Sequence, residues 1–172
     1  MTEAAVLVLG RDEAAAVEVR VWSRAHPGGL GVFDDNWLFA QIAVRGGAAA
    51  RARATGATET GARATGATVT AAPRFRYHAF LRTSDFGRFA ERLTRLRDGA
   101  TARARFWPRD PWLAVVVARD GDAADGCCEV SVRARDHGSE RAVRFRYALD
   151  ASGLAQLADQ VDAIASRFPV RP

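Results

Sequence analysis

Residues 75–96 read FRYHAFLRTSDFGRFAERLTRL, and within this stretch the spacing of apolar side chains changes from two residues to three or four. A period of two is typical of a strand with one buried face, whereas a period near 3.6 is typical of an amphipathic helix. The apolar positions are Phe75, Tyr77, Ala79 and Leu81, then Phe86, Phe89, Leu93 and Leu96. The stretch therefore predicts a strand followed directly by a helix, with Thr83 and Ser84 as N-cap residues and Asp85 at the positive helix start.

The same two patterns recur elsewhere in the chain. Further alternating segments begin at Val17, Ala102, Cys128 and Val143, and each predicts a half-exposed strand. Three more uniformly apolar runs, at residues 4–9, 37–44 and 112–118, predict strands buried on both faces. A second helical pattern runs from Leu154 to Phe168, with Asp150 before it and Pro169 after it.

These segments follow one another in the order ββββα-ββββα. The fold class that this order predicts is α+β, with a curved, mainly antiparallel sheet of about seven to eight strands. Both helices are expected to pack on one face of the sheet, because every strand pattern has a single apolar side.

The chain has 172 residues and is 48% hydrophobic, which predicts one domain over residues 1–172. Residues 48–72 interrupt that domain. They contain a nearly perfect ten-residue repeat, Arg53–Ala62 and Arg63–Ala72, in which Val69 is the one large apolar residue. Such a segment cannot bury enough surface to offset its ordering entropy, so we expect a disordered loop insertion.

All 25 basic residues are arginine, and the formal net charge is +5. Within the insertion, Arg51, Arg53 and Arg63 against Glu59 account for +2, which leaves +3 for the rest of the chain. A basic balance of this kind is consistent with a nucleic-acid or acidic-protein partner.

Alternation places eight arginines on the sheet face opposite the core. They are Arg76, Arg82, Arg103, Arg105, Arg133, Arg135, Arg144 and Arg146. Guanidinium groups bind carboxylate or phosphate bidentately, so this face suits an acidic protein or a nucleic-acid backbone. The alternative is a solvated face on which Glu18 and Glu129 pair with arginines. Aromatic partners for single-stranded nucleic acid on that face are limited to Trp22 and Phe80.

No motif for catalysis is recognisable in the sequence. His26, His78 and His137 lie in different segments without metal-ligand spacing, and neither a nucleophile elbow nor a phosphate-binding loop is present. We therefore expect no enzyme activity, no catalytic residues, no metal and no cofactor. Cys127 and Cys128 are adjacent; alternation favours Cys128 as a small core residue over a vicinal disulfide or a redox pair.

The sequence also bears on location. No apolar run approaches the ~20 residues that cross a bilayer, so we expect no membrane partner. The N-terminal stretch has Glu3 where a signal peptide carries lysine or arginine, and the adjacent cysteines cannot form a framework of crosslinks. Both features predict a cytoplasmic protein.

Several short motifs resemble the WapI-like family of bacterial immunity proteins, which protect a cell from its own polymorphic or contact-dependent toxins. The resemblance covers about residues 17–169 without the repeat insertion. Its motifs are Asp35-Asn36-Trp37-Leu38, Phe75–Leu81 with the helix to Leu96, Phe106–Leu113 with Pro108, and Phe145–Asp150 with the helix to Phe168-Pro169.

The resemblance implies a non-catalytic, cytoplasmic module that binds and neutralises a cognate toxin. Immunity proteins against nucleases are often acidic, whereas this chain is basic, so we expect a toxin with an acidic surface. The candidate contacts are the eight arginines and the turn formed by Asp34, Asp35, Asn36 and Trp37. The alternative function is a basic nucleic-acid-binding domain that uses the arginine-rich sheet face.

Overall fold

The computed structural model describes residues 3–11, 15–25, 36–46, 75–119, 127–139 and 141–171. Their elements are β1 (Ala5–Arg11), β2 (Ala15–Arg24), β3 (Trp37–Gly46), β4 (Phe75–Arg82), α1 (Thr83–Arg97), β5 (Arg103–Phe106), β6 (Leu113–Arg119), β7 (Cys128–Arg135), β8 (Ala142–Leu149) and α2 (Ala151–Arg167). The predicted insertion at residues 48–72 and the turn residues Asp34 and Asp35 lie outside the described residues.

The strands form two antiparallel meanders, and each meander is followed by a helix. Sheet A has the strand order β1-β2-β3-β4, and sheet B has the order β5-β6-β7-β8. The predicted α+β class and the order ββββα-ββββα are confirmed. Alternation alone predicts one curved sheet, whereas the structure has two sheets of four strands. The chain leaves sheet A after β4 because α1 lies between β4 and β5 and packs on β5.

Each helix packs against the opposite half of the molecule. Helix α1 contacts β5 and α2, and α2 contacts β1. The ring centroids of Phe86 and Phe89 in α1 lie 5.1 and 5.5 Å from that of Phe106 in β5. Burial of each such side chain contributes about 1.5–3 kcal/mol. The same hydrophobic cluster includes residues from both sheets and both helices.

Alternation in sequence corresponds to alternation in burial. In β4 the apolar residues from Phe75 to Leu81 are buried, and the residues between them are exposed. Cys128 is 2% exposed, which agrees with its predicted core role. The prediction for residues 4–9 is wrong: Val6 and Val8 are 38% and 41% exposed, because only the inner face of sheet A is covered at β1.

The two helices begin differently. The predicted N-cap at Thr83 and Ser84 is wrong, because α1 already begins at Thr83 and the N-cap residue Arg82 makes no side-chain cap. Thr83 instead donates its backbone N–H to the Asn36 carbonyl at 3.0 Å. Helix α2 has the acidic start that its sequence predicts, since the Asp150 carboxylate accepts a hydrogen bond from the backbone N–H of Gly153 at 2.7 Å.

Two tyrosines, the buried Tyr77 and the half-buried Tyr147, lie between the two sheets. The Tyr77 hydroxyl in β4 donates to the Trp112 carbonyl, directly before β6, at 2.6 Å. Tyr147 in β8 and Gly10 in β1 line a common recess. Burial raises the pKa of both phenols, to about 12 for Tyr147, so they stay protonated at neutral pH. The two sheets are therefore held together by a polar contact as well as by the core.

Substitution by alanine should have opposite effects on the free energy of unfolding at two glycines, Gly10 and Gly87. Gly10 has φ of +96°, and a Cβ there would lie 2.1 Å from the Ala15 carbonyl oxygen. Gly10→Ala should therefore lower the free energy of unfolding by more than about 1 kcal/mol. Gly87, in α1, has nothing within 4 Å of its added Cβ, so Gly87→Ala should raise that free energy by about 0.5–1 kcal/mol. Urea denaturation of both variants checks the pair, and changes of equal sign would contradict it.

Candidate binding surface around Trp107

Trp107 is the most exposed large apolar side chain among the residues that the structure describes, with 64% of its surface accessible. It follows β5, in which Ala104 and Phe106 are buried and Arg103 and Arg105 are exposed. The alternation that turns Phe106 into the core therefore turns Trp107 outward, beside the two arginines.

Five arginines project from the outer face of sheet B near the indole, and we call them the sheet B arginine face. They are Arg103, Arg105, Arg133, Arg144 and Arg146. The edge strands β5 and β8 supply four of them, and the central strands supply small side chains between these two rows. A shallow recess of about 380 Å³ runs from Trp107 over Ala114, Val116 and Ser131 to Arg144.

The sheet B arginine face carries more positive charge than its acids neutralise. Arg133 and Arg144 are direct cross-strand partners. Two like charges in this position repel each other and lower the stability of the sheet. The Arg133 Nε atom is buried and has no hydrogen-bond partner. Glu129 lies 3.4 Å from Arg146, and no other acid of the described segments forms an ion pair with this face. An anionic group placed here would gain charge-assisted hydrogen bonds.

A groove of about 840 Å³ lies along the line where α1 meets β5, next to Trp107, and it shares Arg103 and Arg105 with the sheet B arginine face. Arg92 and Arg95 of α1 line one wall, and Arg103 and Arg105 of β5 line the other. Arg92 is positioned by a hydrogen bond from its Nη1 to the Arg105 carbonyl at 2.9 Å. The groove is therefore an open depression whose lining includes four arginines and the indole.

A smaller cleft of about 280 Å³ adjoins Trp107 near the start of α1, and it contains one acid. Asp85 Oδ1 lies 3.3 Å from Arg88 Nη2, whereas its Oδ2 atom is buried without a partner. Burial raises the pKa of the Asp85 carboxyl, against the opposing effect of Arg88 and Arg82. Arg105 and Arg109 complete the basic lining of this cleft.

The structure divides the eight predicted arginines between the two sheets. Six lie in sheet B, whereas Arg76 and Arg82 lie in β4 of sheet A. The Arg82 guanidinium is 4.5 Å from the centroid of the Trp37 ring and also lines the cleft beside Trp107. Arg76 lies in a separate recess with Glu18. Arg135 is half-buried at the end of β7, opposite Ala142.

Two residues of the predicted turn site, Asn36 and Trp37, lie within the described residues, and both form hydrogen bonds within the fold. The Asn36 side chain accepts a hydrogen bond from the Arg171 N–H at 2.9 Å and donates one to the Arg171 carbonyl at 3.1 Å. Trp37 is half-buried and accepts a hydrogen bond from Ala25 N–H through its carbonyl at 2.8 Å. These contacts hold the C-terminal residues against the beginning of β3.

The outer face of sheet A differs from that of sheet B in both charge and aromatic content. Glu18 is buried and pairs with both Arg20 and Arg45, so it neutralises part of the positive charge on the outer face of sheet A. The rings on this face are Trp22, Phe39, His78 and Phe80. Phe39 stacks on His78 with centroids 5.0 Å apart, and its centroid lies 6.0 to 6.1 Å from those of Phe80 and Trp22.

The predicted site omits several residues that the structure brings together. They are Trp107, Arg88, Arg92, Arg95 and Arg109. A signal for Trp107 exists in the sequence, because the alternation of residues 102–106 continues to it. Arg92 and Arg95 give no comparable signal, since their approach to β5 depends on how α1 packs against another strand.

The described part of the chain shows neither a metal-binding cluster nor a membrane-spanning helix. Among the residues described, no group of three or more histidines, cysteines and acids could hold a metal ion. No helix within the described ranges is long and apolar enough to cross a membrane.

The model of the immunity protein WapI-like family matches residues 64–169, which is more than half of the chain. The chain belongs to the immunity protein WapI-like family. The matched range extends through β4, both helices and all of sheet B, so it contains Trp107 and the sheet B arginine face. The motif at residues 35–38 lies outside it. No curated protein matches the chain.

Three solved structures match the chain at low similarity. The MRP1/MRP2 structure from Trypanosoma bruciei is 12% identical, covers 97% of this chain and 86% of its own, and has a TM-score of 0.44. A guide-RNA-binding protein complex bound to a gRNA is 14% identical, with 95% and 89% covered and a TM-score of 0.43. WHY1 from Arabidopsis thaliana is 10% identical, with 98% and 92% covered and a TM-score of 0.46.

The raised pKa of Asp85 predicts a specific pH dependence of stability. A folded-state pKa above the unfolded value of 3.8 gives stability that is fully present below pH 3.8 and is lost as pH rises through the folded pKa. Asp85→Asn removes this titration, so the variant should gain stability relative to the wild type as pH rises from acidic to neutral. Chemical denaturation at a series of pH values checks this, with the exposed Asp159→Asn as control. A constant difference between the wild type and Asp85→Asn would contradict it.

Proposed function

We propose that this protein is a cytoplasmic immunity protein that binds a cognate bacterial toxin and neutralises it as a stoichiometric inhibitor. The observation that carries the proposal is the family match over residues 64–169, which includes the whole basic surface around Trp107. Neutralisation by binding requires a complementary surface, and it needs no reacting group on the inhibitor.

The sheet B arginine face supports an acidic toxin surface as the partner. Arg133 and Arg144 are held opposite each other without an acid between them, at a cost in stability. An acidic partner would remove that repulsion on binding, and charge complementarity would also accelerate association. Sheet A is a weaker candidate for this role, because Glu18 already neutralises two of its arginines.

Co-expression with the toxin encoded by the neighbouring gene tests the proposal. We expect the wild-type protein to restore growth and the double variant Arg133→Glu/Arg144→Glu to fail, because two like charges would then face the acidic partner. The purified variant should bind the toxin domain at least about tenfold more weakly. Arg76→Glu, on the exposed face of sheet A, is the matched charge-reversal control and should protect. Equal cell death with and without the wild-type protein would refute the proposal for that toxin.

A second candidate function is binding of single-stranded nucleic acid by the outer face of sheet A. The observation that favours it is the group of neighbouring rings formed by Trp22, Phe39, His78 and Phe80, since successive bases stack on such platforms. Arg76 is exposed at one end of this group and can contact phosphate.

This second function predicts steep salt dependence. With about three phosphate contacts, the affinity for an oligodeoxythymidylate of about twelve nucleotides should fall roughly 20-fold between about 50 and 200 mM salt. Phe39→Ala and Phe80→Ala should weaken binding, whereas Trp107→Ala should leave it unchanged. Fluorescence anisotropy measures all four proteins. A salt-independent signal, or no binding at low salt, would eliminate this function.

A further inference from the structure

Trp107 has no structural task that accounts for its exposure. Phe106 before it fills the core against Phe86 and Phe89, and Pro108 after it is buried, whereas the indole itself remains 64% exposed. An exposed indole beside guanidinium groups combines the two residue types that most often dominate the energetics of protein interfaces.

We propose that Trp107 and the arginines of the groove between α1 and β5 form the anchor site for an acidic segment of the partner protein. This inference rests on the proposed function and adds to it the residues that hold the toxin. Carboxylates of the segment would contact the guanidinium groups, and an apolar side chain of the segment would pack on the indole.

The shape of the groove suits an extended segment with several carboxylates. Its volume of about 840 Å³ lies between two walls, each of which carries two arginines. The bond from Arg92 to the Arg105 carbonyl holds one wall in place before a ligand arrives, which reduces the ordering entropy lost on binding. Planar guanidinium groups bind carboxylates bidentately, so paired walls favour ligands with successive acids.

The charges in and near the groove leave its arginines available. Of the described acids, none pairs with Arg95, Arg103 or Arg105. Asp85, the acid of the adjoining cleft, is paired with Arg88. Glu129 is paired with Arg146 at the far side of the sheet B arginine face.

The arrangement favours an acidic peptide over single-stranded nucleic acid. Sequence-tolerant nucleic-acid grooves present several aromatic rings for successive bases, whereas this groove presents one. A single tryptophan among arginines is instead typical of a protein interface hot spot, because hot spots are enriched in both residue types. The succession of rings in this molecule lies on sheet A.

The test measures binding of the purified, inactivated toxin domain to the full-length protein and its variants by calorimetry. Trp107→Ala should weaken binding at least about 30-fold, and Arg105→Glu should do so by a similar factor. The matched controls are Phe80→Ala and Arg76→Glu, an exposed aromatic and an exposed arginine on sheet A, and each should change affinity less than about threefold. Unchanged melting temperatures would show that the variants fold.

A second arm identifies the chemistry of the ligand with defined probes. A labelled glutamate-rich peptide with one central phenylalanine should bind the wild type, and both Trp107→Ala and replacement of its glutamates by glutamine should abolish binding. Tighter binding of oligodeoxythymidylate than of this peptide, with loss of that binding in Trp107→Ala, would overturn the assignment to an acidic protein segment.

The two proposals fail in different ways. If the toxin domain binds the wild type, Trp107→Ala and Arg105→Glu equally, the anchor site is wrong and the proposed function stands. If the toxin is neither bound nor neutralised but the acidic peptide still binds through Trp107, the proposed function is wrong and the anchor site stands. Binding of neither the toxin nor the peptide overturns both.

Discussion

Burial of every second side chain in the strands is the constraint on which the rest of this structure depends. In β5, Ala104 and Phe106 are buried in the core. The residues that alternate with them, Arg103, Arg105 and Trp107, must therefore face solvent. The register of β7 and β8 repeats the effect, because burial of Val132 and Val143 aligns Arg133 with Arg144. A shift by one residue would bury guanidinium groups, so hydrophobic burial and the position of the arginines cannot vary independently.

The packing of helix α1 beside β5 turns the exposed arginines of that strand into one wall of a groove. Helix α1 follows a strand of sheet A but packs on β5 of sheet B. Phe86 and Phe89 fix its distance from β5 through Phe106, and Arg92 then reaches the Arg105 carbonyl. The groove between α1 and β5 therefore results from a core contact, and its arginine walls are the solvent-facing sides of two elements whose apolar sides meet.

The distribution of acids separates the two sheet faces. Glu18 neutralises Arg20 and Arg45 on sheet A, and the rings beside them give that face an aromatic character. Sheet B has Glu129 as its ion-pairing acid and retains the repulsion between Arg133 and Arg144. Proteins depart from such local rules of stability mainly at functional sites. This asymmetry is the reason that we propose toxin binding for sheet B and, as the second candidate function, nucleic-acid binding for sheet A.

Local patterns in the sequence determine the strands, the helices, the fold class and the direction of each arginine. The burial of Cys128 and the acid at the start of α2 follow from the same local rules. The sequence does not indicate that Arg76 and Arg82 belong to another sheet than Arg103 and Arg105, or that α1 contributes Arg92 and Arg95 to the site. Alternation acts within one strand, whereas the partition of strands between sheets depends on contacts between residues far apart in the chain. For that reason the sequence alone determined that the strand arginines face outward, and only the tertiary structure decided which of them share one surface and that Val6 and Val8 lie on an uncovered face.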